Sequence, residues 1–250
     1  MPENHFGEEI AARYDDSDAT EFDPAVIAQT VDVLAELAGD GRALELAIGT
    51  GRVAVPLAER GVPVVGIELS EAMVDRLRAK DEAGHIEVTI GDMTTTRVDG
   101  RFTLVYLVFN TIGNVMTQDA QVDCFLNAAA HLEDGGHFVV EKGVPDLRRL
   151  TPGSDAIVFG HAPGYVGYDR YTDHVAQQAV SHHFLADGSG VREMQTPFRY
   201  VWPSELDLMA RLAGMQLRHR WADWDRAPFT GDSTSHVSVW QKVADVPAKS

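Results

Sequence analysis

The chain has 250 residues, 44% of them hydrophobic, enough to bury one full core and carry an embellishment. A net charge of −17 argues against nucleic acid as a partner, because phosphate backbones are held by clustered Lys and Arg. Cys124, the single cysteine, excludes a disulfide scaffold or a cysteine-rich metal site. With no apolar run long enough for a bilayer and no signal-like start, the expected setting is the cytoplasm, with no membrane partner.

Residues 1–40 carry eleven acidic side chains against Arg13 alone, which reads as a solvated acidic face. In this stretch Tyr14 precedes a loop. A helix comes next, with Asp23 as N-cap, Pro24 at its first position and Gly39 as its stop, and Ile27, Val31, Leu34 and Ala38 form its packing stripe. Then comes ALELAIGTGR, residues 43–52: a short apolar strand interrupted by Glu45, then a turn of small residues, then the helix RVAVPLAER ending at Gly61. Ala47, Gly49 and Gly51 present almost no side chain, so backbone N–H groups and the next helix start approach a ligand closely. Their two-and-two spacing differs from the GxGxxG of dinucleotide sites.

VPVVGIEL is a near-continuous apolar run, expected in a strand buried on both faces and ending in Glu68; Ser70 then N-caps the helix EAMVDRLRAK. IEVTIGDM supplies a third strand ending in Asp92 and Met93, and FTLVYLVFN a fourth ending in Phe109 and Asn110. QVDCFLNAAAHL is helical, with Cys124 as a small core hydrophobe, and HLEDGGHFVVEK closes that helix and turns into a fifth strand. Strand and helix in alternation predict an α/β, doubly wound sheet with ligands at the strand carboxyl ends.

ELAIGTGR, GIELSEAM, IGDM, LVFNTIGN and HLEDGGHFVVE, in this order over residues 40–142, resemble the successive motifs of class I S-adenosylmethionine-dependent methyltransferases. The resemblance implies a Rossmann-like, mostly parallel seven-stranded sheet, with S-adenosyl-L-methionine as cofactor and S-adenosyl-L-homocysteine as its product. It implies that Glu45 orients the turn or meets the amino group of the methionine moiety, and that Ala47, Gly49 and Gly51 belong to the turn lining that moiety. Glu68 would accept the ribose hydroxyls, and Leu69 and Met73 would pack on the adenine. Asp92 would accept the adenine amino group beside the Met93 backbone, and Phe109 and Asn110 would face the transferring methyl. The family usually has glycine at the position of Ala47, where alanine narrows the turn. An N-terminal tyrosine resembling Tyr14 closes over the cofactor in many such enzymes.

About sixty residues separate the fifth strand from a helix starting near Pro203, far more than a crossover needs. DAIVFGH, VGYDRYT, HVAQQAVSHHFLAD and, after a turn at residues 188–190, VREMQTPFRYVW read as an antiparallel β insertion with one buried face, roofing the acceptor pocket. Its aromatic residues suit a small organic acceptor. Tyr168, His182 and Tyr200, with His236 further on, are the candidate acceptor contacts, and Tyr14, Asn110 and His182 the candidate catalytic residues. Only one of His182 and His183 points inward from a strand. The histidine spacing matches no metal-ligand motif, so no metal is expected.

PSELDLMARLAG reads as a helix, QLRHRWADW and HVSVWQK as a terminal antiparallel pair, and residues 243–250 as a frayed tail. The expected organisation is a lid and helix (1–40), a cofactor-binding core (41–150), the acceptor-pocket insertion (151–202) and a closing helix and strands (203–245). The expected chemistry is in-line methyl transfer to the nitrogen or oxygen of a small molecule of secondary metabolism, such as a nucleotide-linked amino sugar. A carboxylate or phenol O-methyltransferase is the enzymatic alternative, and a non-catalytic S-adenosylmethionine-binding protein the alternative of another class. The acceptor is the expected partner, and a homodimer stays open.

Overall fold

Four consecutive buried side chains make β1 (Ala43–Leu46) a strand covered on both faces, as a parallel strand requires. The computed structural model describes residues 6–16, 19–81, 84–188 and 190–243. In it β1 lies between β2 (Val64–Glu68) and β4 (Phe102–Leu107) and is parallel to both, with Ala43 opposite Val64 on one side and Leu104 on the other. β3 (Glu87–Ile90) extends the sheet past β2, and β5 (Leu132–Gly143) extends it past β4. β11 (Ser235–Lys242) runs antiparallel between β5 and β10 (Met215–Trp221), so the order is β10-β11-β5-β4-β1-β2-β3. The chain reverses its winding between β1 and β4, and a doubly wound sheet opens its ligand crevice at such a point.

Helices cover both faces. α2 (Pro24–Ala38), α3 (Ala54–Glu59) and α4 (Glu71–Lys80) contribute Leu34, Leu57 and Leu77 to one core layer. α5 (Gln118–His131) and α6 (Pro203–Leu212) contribute Phe125 and Leu206 to the other, where Phe125 meets Phe138 and Trp240 edge-on at 5.0 and 5.4 Å. The N-caps agree with the local chemistry: Asp23 accepts from the Ala25 N–H at 2.8 Å, and Ser70 Oγ from the Met73 N–H at 3.3 Å.

Between β5 and α6 the chain builds a second sheet, an antiparallel meander of β6 (Ala156–Ala162), β7 (Tyr165–Asp173), β8 (Gln178–Asp187) and β9 (Gly190–Arg199). The strand expected to begin at His174 begins at Gln178. Asp173 Oδ1 accepts from the N–H groups of Val175 and Ala176, and Gln177 takes a left-handed φ of 58°, which turns the chain before the ladder starts. Pro197 is tolerated in β9 because that strand is an edge.

One buried cation fastens this sheet to the core. Arg199, 3% exposed, donates to Gln121 Oε1 on α5 at 2.5 Å, to Glu205 Oε1 on α6 at 2.7 Å and to Gln177 Oε1 at 3.1 Å. Gln121 in turn donates to the carbonyls of Ile112 and Val115, in the segment after β4. From residue 244 onward the tail expected to fray lies outside the described residues. Among the described residues no helix is long and apolar enough to cross a membrane.

Candidate active site

The turn after β1 is built from left-handed residues. Ala47, Gly49 and Gly51 have φ of 53°, 59° and 73°. At Gly51 a Cβ would sit 2.9 Å from Leu77 Cγ, so glycine is required there by both φ and space. At Gly49 a Cβ would meet only the Ala47 carbonyl oxygen, at 3.9 Å, and the space above this glycine is open for a ligand. Ala47 holds a conformation that costs an L-residue ~1–2 kcal/mol, a physical reason for the family's usual glycine at this place.

Glu68, at the carboxyl end of β2, ties the turn to its neighbour: Oε2 accepts from the Gly49 N–H at 2.9 Å and Oε1 from the Ser70 N–H at 2.8 Å. Burial raises its pKa, against the lowering effect of those bonds. At the end of β3, Asp92 Oδ1 accepts from the N–H and the hydroxyl of Thr94, both at 2.8 Å. Tyr14 covers the crevice from the N-terminal segment. Asp15 holds that segment down by accepting from Thr50 Oγ1 at 2.6 Å and Lys80 Nζ at 2.8 Å. The Phe6 carbonyl accepts from Ser70 Oγ at 2.5 Å.

These elements enclose a cleft of about 440 Å³ at the strand carboxyl ends, within the size range of small-ligand sites. Tyr14, Ala47, Gly49, Glu68, Leu69, Met73, Asp92 and Met93 all line it. Phe6, Thr111, Asn114, Met116 and Thr117 join them, residues that sequence reasoning did not single out. The second sheet contributes Pro197 to this lining.

Glu45, Gly51, Phe109 and Asn110 are not among the residues that line the cleft. Glu45 is 4% exposed and accepts from the Tyr106 hydroxyl at 2.9 Å; burial pushes its carboxyl up to about 8. Phe109 and Asn110 are both left-handed, with φ of 56° and 61°. The strained pair is pinned from β5: the Phe109 N–H donates to Glu141 Oε2 at 2.7 Å, while Asn110 Oδ1 accepts from the Gly143 N–H at 2.6 Å and Lys142 Nζ at 3.4 Å. The other Glu141 oxygen accepts from Trp224 Nε1 at 2.7 Å. Glu141 was legible as a third acidic residue near the end of an apolar run, the pattern of Glu45 and Glu68.

The candidate acceptor residues sit elsewhere. His182 stacks on Tyr168 across β7 and β8, ring centroids 4.7 Å apart, and meets Glu193 Oε1 at 3.1 Å. Its neighbour His183 meets the Tyr165 hydroxyl at 3.0 Å. Tyr200 is buried against Tyr171 and meets His174 Nδ1 at 3.3 Å. His236 is fully buried opposite Lys142 on β11, and burial pushes its imidazole down to about 3. None of the four lines the cleft in the described residues, and no group of three His, Cys, Asp or Glu among those residues is placed to hold a metal.

A family model described as a methyltransferase domain matches residues 43–136. The CcbJ methyltransferase from Streptomyces caelestis superposes with a TM-score of 0.86 at 36% identity, over 98% of this chain and 100% of that one. The cypemycin N-terminal methyltransferase of a Streptomyces species is 26% identical over 81% of this chain and 84% of its own length. CalS10, an amino pentose methyltransferase from Micromonospora echinaspora whose structure contains bound S-adenosylmethionine, shares the fold with a TM-score of 0.68 at 19% identity. That match covers 97% of this chain and 100% of CalS10.

Proposed function

Since the chain belongs to the class I S-adenosylmethionine-dependent methyltransferases, we propose that the cleft at the ends of β1 to β4 holds S-adenosylmethionine and that the methyl goes to the amine nitrogen of a small molecule. The residues present fit the cofactor. Gly49 leaves open space where a Cβ would project, Glu68 offers a carboxylate to a ribose diol, and Asp92 offers one to an adenine amino group. When bound, S-adenosylmethionine supplies a methyl group on a sulfonium, already an electrophile.

The observation that carries the choice of nitrogen is the set of titratable groups on the cleft. Among the described residues these are Tyr14, Glu68 and Asp92. Two are assigned to the adenosine end, and burial raises the Tyr14 phenol, so that it keeps its proton and serves as a donor. A neutral amine needs no strong base to attack, whereas a hydroxyl does. Two relatives are named for amine-bearing acceptors, an N-terminus and an amino pentose. The chain's contribution is then to hold the amine lone pair in line behind the S–CH3 bond under the Phe6 and Tyr14 cover. Orientation of this kind is worth on the order of 7–11 kcal/mol.

The test is methyl transfer from labelled S-adenosylmethionine to a panel of amino sugars, N-terminal peptides, phenols and carboxylates. Amine products are expected, at a rate that rises with pH as the acceptor ammonium loses its proton. Transfer to a phenol or carboxylate, with the amines inert, overturns the reading.

A further inference from the structure

Arg52 comes directly after Gly51 and has no part in the contacts assigned to the adenosine end, yet its environment is unusual for a surface-proximal arginine. Its guanidinium lies over two aromatic rings, 5.0 Å from the Phe22 centroid and 5.1 Å from that of Phe109. Phe22 and Phe109 meet edge-on at 5.4 Å, and each meets Tyr14, at 5.4 and 6.3 Å. Two nearly perpendicular rings within cation–π distance confine the guanidinium without using its N–H donors. Of the five donors, one is used in the described residues: Nη1 donates to the Glu21 carbonyl. No carboxylate of the described residues lies within ion-pair distance of it, although Glu45 and Glu141 are close enough for its charge to lower their raised carboxyl pKa values.

The methionine end of the cofactor is a zwitterion, and the residues lining the cleft include two carboxylates, Glu68 and Asp92 at the adenosine end, but no basic group among the described residues. Of the nearby lysines, Lys80 is taken by Asp15, and Lys142 meets Asn110 Oδ1 at 3.4 Å. Arg52 is thus a confined fork with spare donors, next to the glycine turn and beside Phe109 in the segment after β4.

We infer that Arg52 binds the α-carboxylate of S-adenosylmethionine, held in register for it by Phe22 and Phe109. The inference rests on the cleft being the cofactor site. It makes Phe22 and Phe109 positioning residues, and it couples the N-terminal segment to the cofactor, because the same guanidinium also holds the Glu21 carbonyl.

Calorimetric titration with S-adenosylhomocysteine and its carboxyl methyl ester reads this contact with no acceptor present. The wild-type protein should prefer the acid over the ester by roughly ten- to a hundredfold, the size of a charge-assisted pair. R52Q should bind acid and ester equally, at the strength the wild type shows for the ester. R52K, which keeps the charge and loses the planar fork, should keep a several-fold preference and covers the case in which R52Q does not fold. A preference unchanged in R52K and R52Q, or a wild type that binds acid and ester alike, overturns the inference; so does R52Q weakening both ligands by the same factor. D92N separates this from failure of the cleft reading. It should weaken acid and ester equally, and if it weakens neither, the adenosine end is misplaced whatever Arg52 does.

Discussion

The crevice at the ends of β1 to β3 and the sheet of β6 to β9 are built on opposite plans. In the crevice, the two carboxylates sit at or just past the ends of strands, and their orientation comes from bonds within a few residues or to the turn after the neighbouring strand. Glu68 is set by the N–H groups of Ser70 and Gly49, and Asp92 by Thr94. The second sheet is anchored by a buried charge network reaching into α5 and α6, and several of its polar side chains face one another: His182 with Glu193, His183 with Tyr165, Ser181 with Asp169. Ligand chemistry concentrates where the backbone opens toward a crevice, and an aromatic-rich insertion spends much of its side-chain chemistry on its own ladder.

The largest effect should come from cutting the second sheet loose. Arg199→Ala leaves the largely buried Glu205 carboxylate without its cationic partner, with only the Gln118 and Gln177 amides donating to it, and should cost ~3–5 kcal/mol of stability. That loss is seen as a marked fall in melting temperature, with S-adenosylhomocysteine still raising it. A melting curve like the wild type's would mean that the sheet is held by its other contacts, among them Gln178 with the Met116 carbonyl and Arg192 with Glu9.

At the crevice the effect should be on binding. Glu68→Ala should weaken S-adenosylhomocysteine by roughly ten- to a hundredfold, one or two charge-assisted bonds, while Tyr168→Ala and His182→Ala stay within about threefold. Equal losses in all three, measured by calorimetry, would erase the distinction between the two regions.

Glu45 gives the comparison a pH signature. Its carboxyl in the folded chain is pushed up to about 8 from an ordinary value of 4.5, so the folded state holds the proton more tightly than the unfolded one. The associated stability is fully present below about 4.5 and lost as pH rises to about 8. Glu45→Gln keeps a partner for Tyr106 without the titration, so its melting advantage over the wild type should grow between pH 5 and 8. A difference constant with pH would place the Glu45 carboxyl in its ordinary range.

The smallest expected effect is at the turn itself. Ala47→Gly removes the cost of a left-handed alanine and adds unfolded-state entropy. A net gain of ~0.5–1 kcal/mol and a rise of a few degrees in melting temperature are expected. A fall would show that the Ala47 methyl packs usefully against its neighbours.

The alternation of strands and helices and the capped helices were legible in the sequence because each depends on a local rule, whereas eight of the residues that line the cleft were named through the resemblance to a known family and the strand order came from the fold. Apolar runs of four to six residues must be buried strands. Asp23 and Ser70 cap the helices that begin after them, and a left-handed turn needs small residues such as Gly49 and Gly51. The same logic failed at His174, where the Asp173 side chain captured two backbone N–H groups and delayed the strand.

Which side chains face one another across elements was decided only in three dimensions. His236 reads in sequence as a polar group in a terminal strand. Pairing with β5 sets it beside Lys142 in a fully buried place, where its imidazole stays neutral. Arg199 and Glu205 carry no signal of their own, being six residues apart across a strand end and a helix start. Arg52 looks in sequence like the first residue of a helix, and the two rings that orient it come from positions 22 and 109. Periodicity and turn chemistry act over a few residues, and the sequence determines them alone. The meeting of residues far apart in the chain depends on how sheets and helices pack, and that packing assigned the charges to their partners.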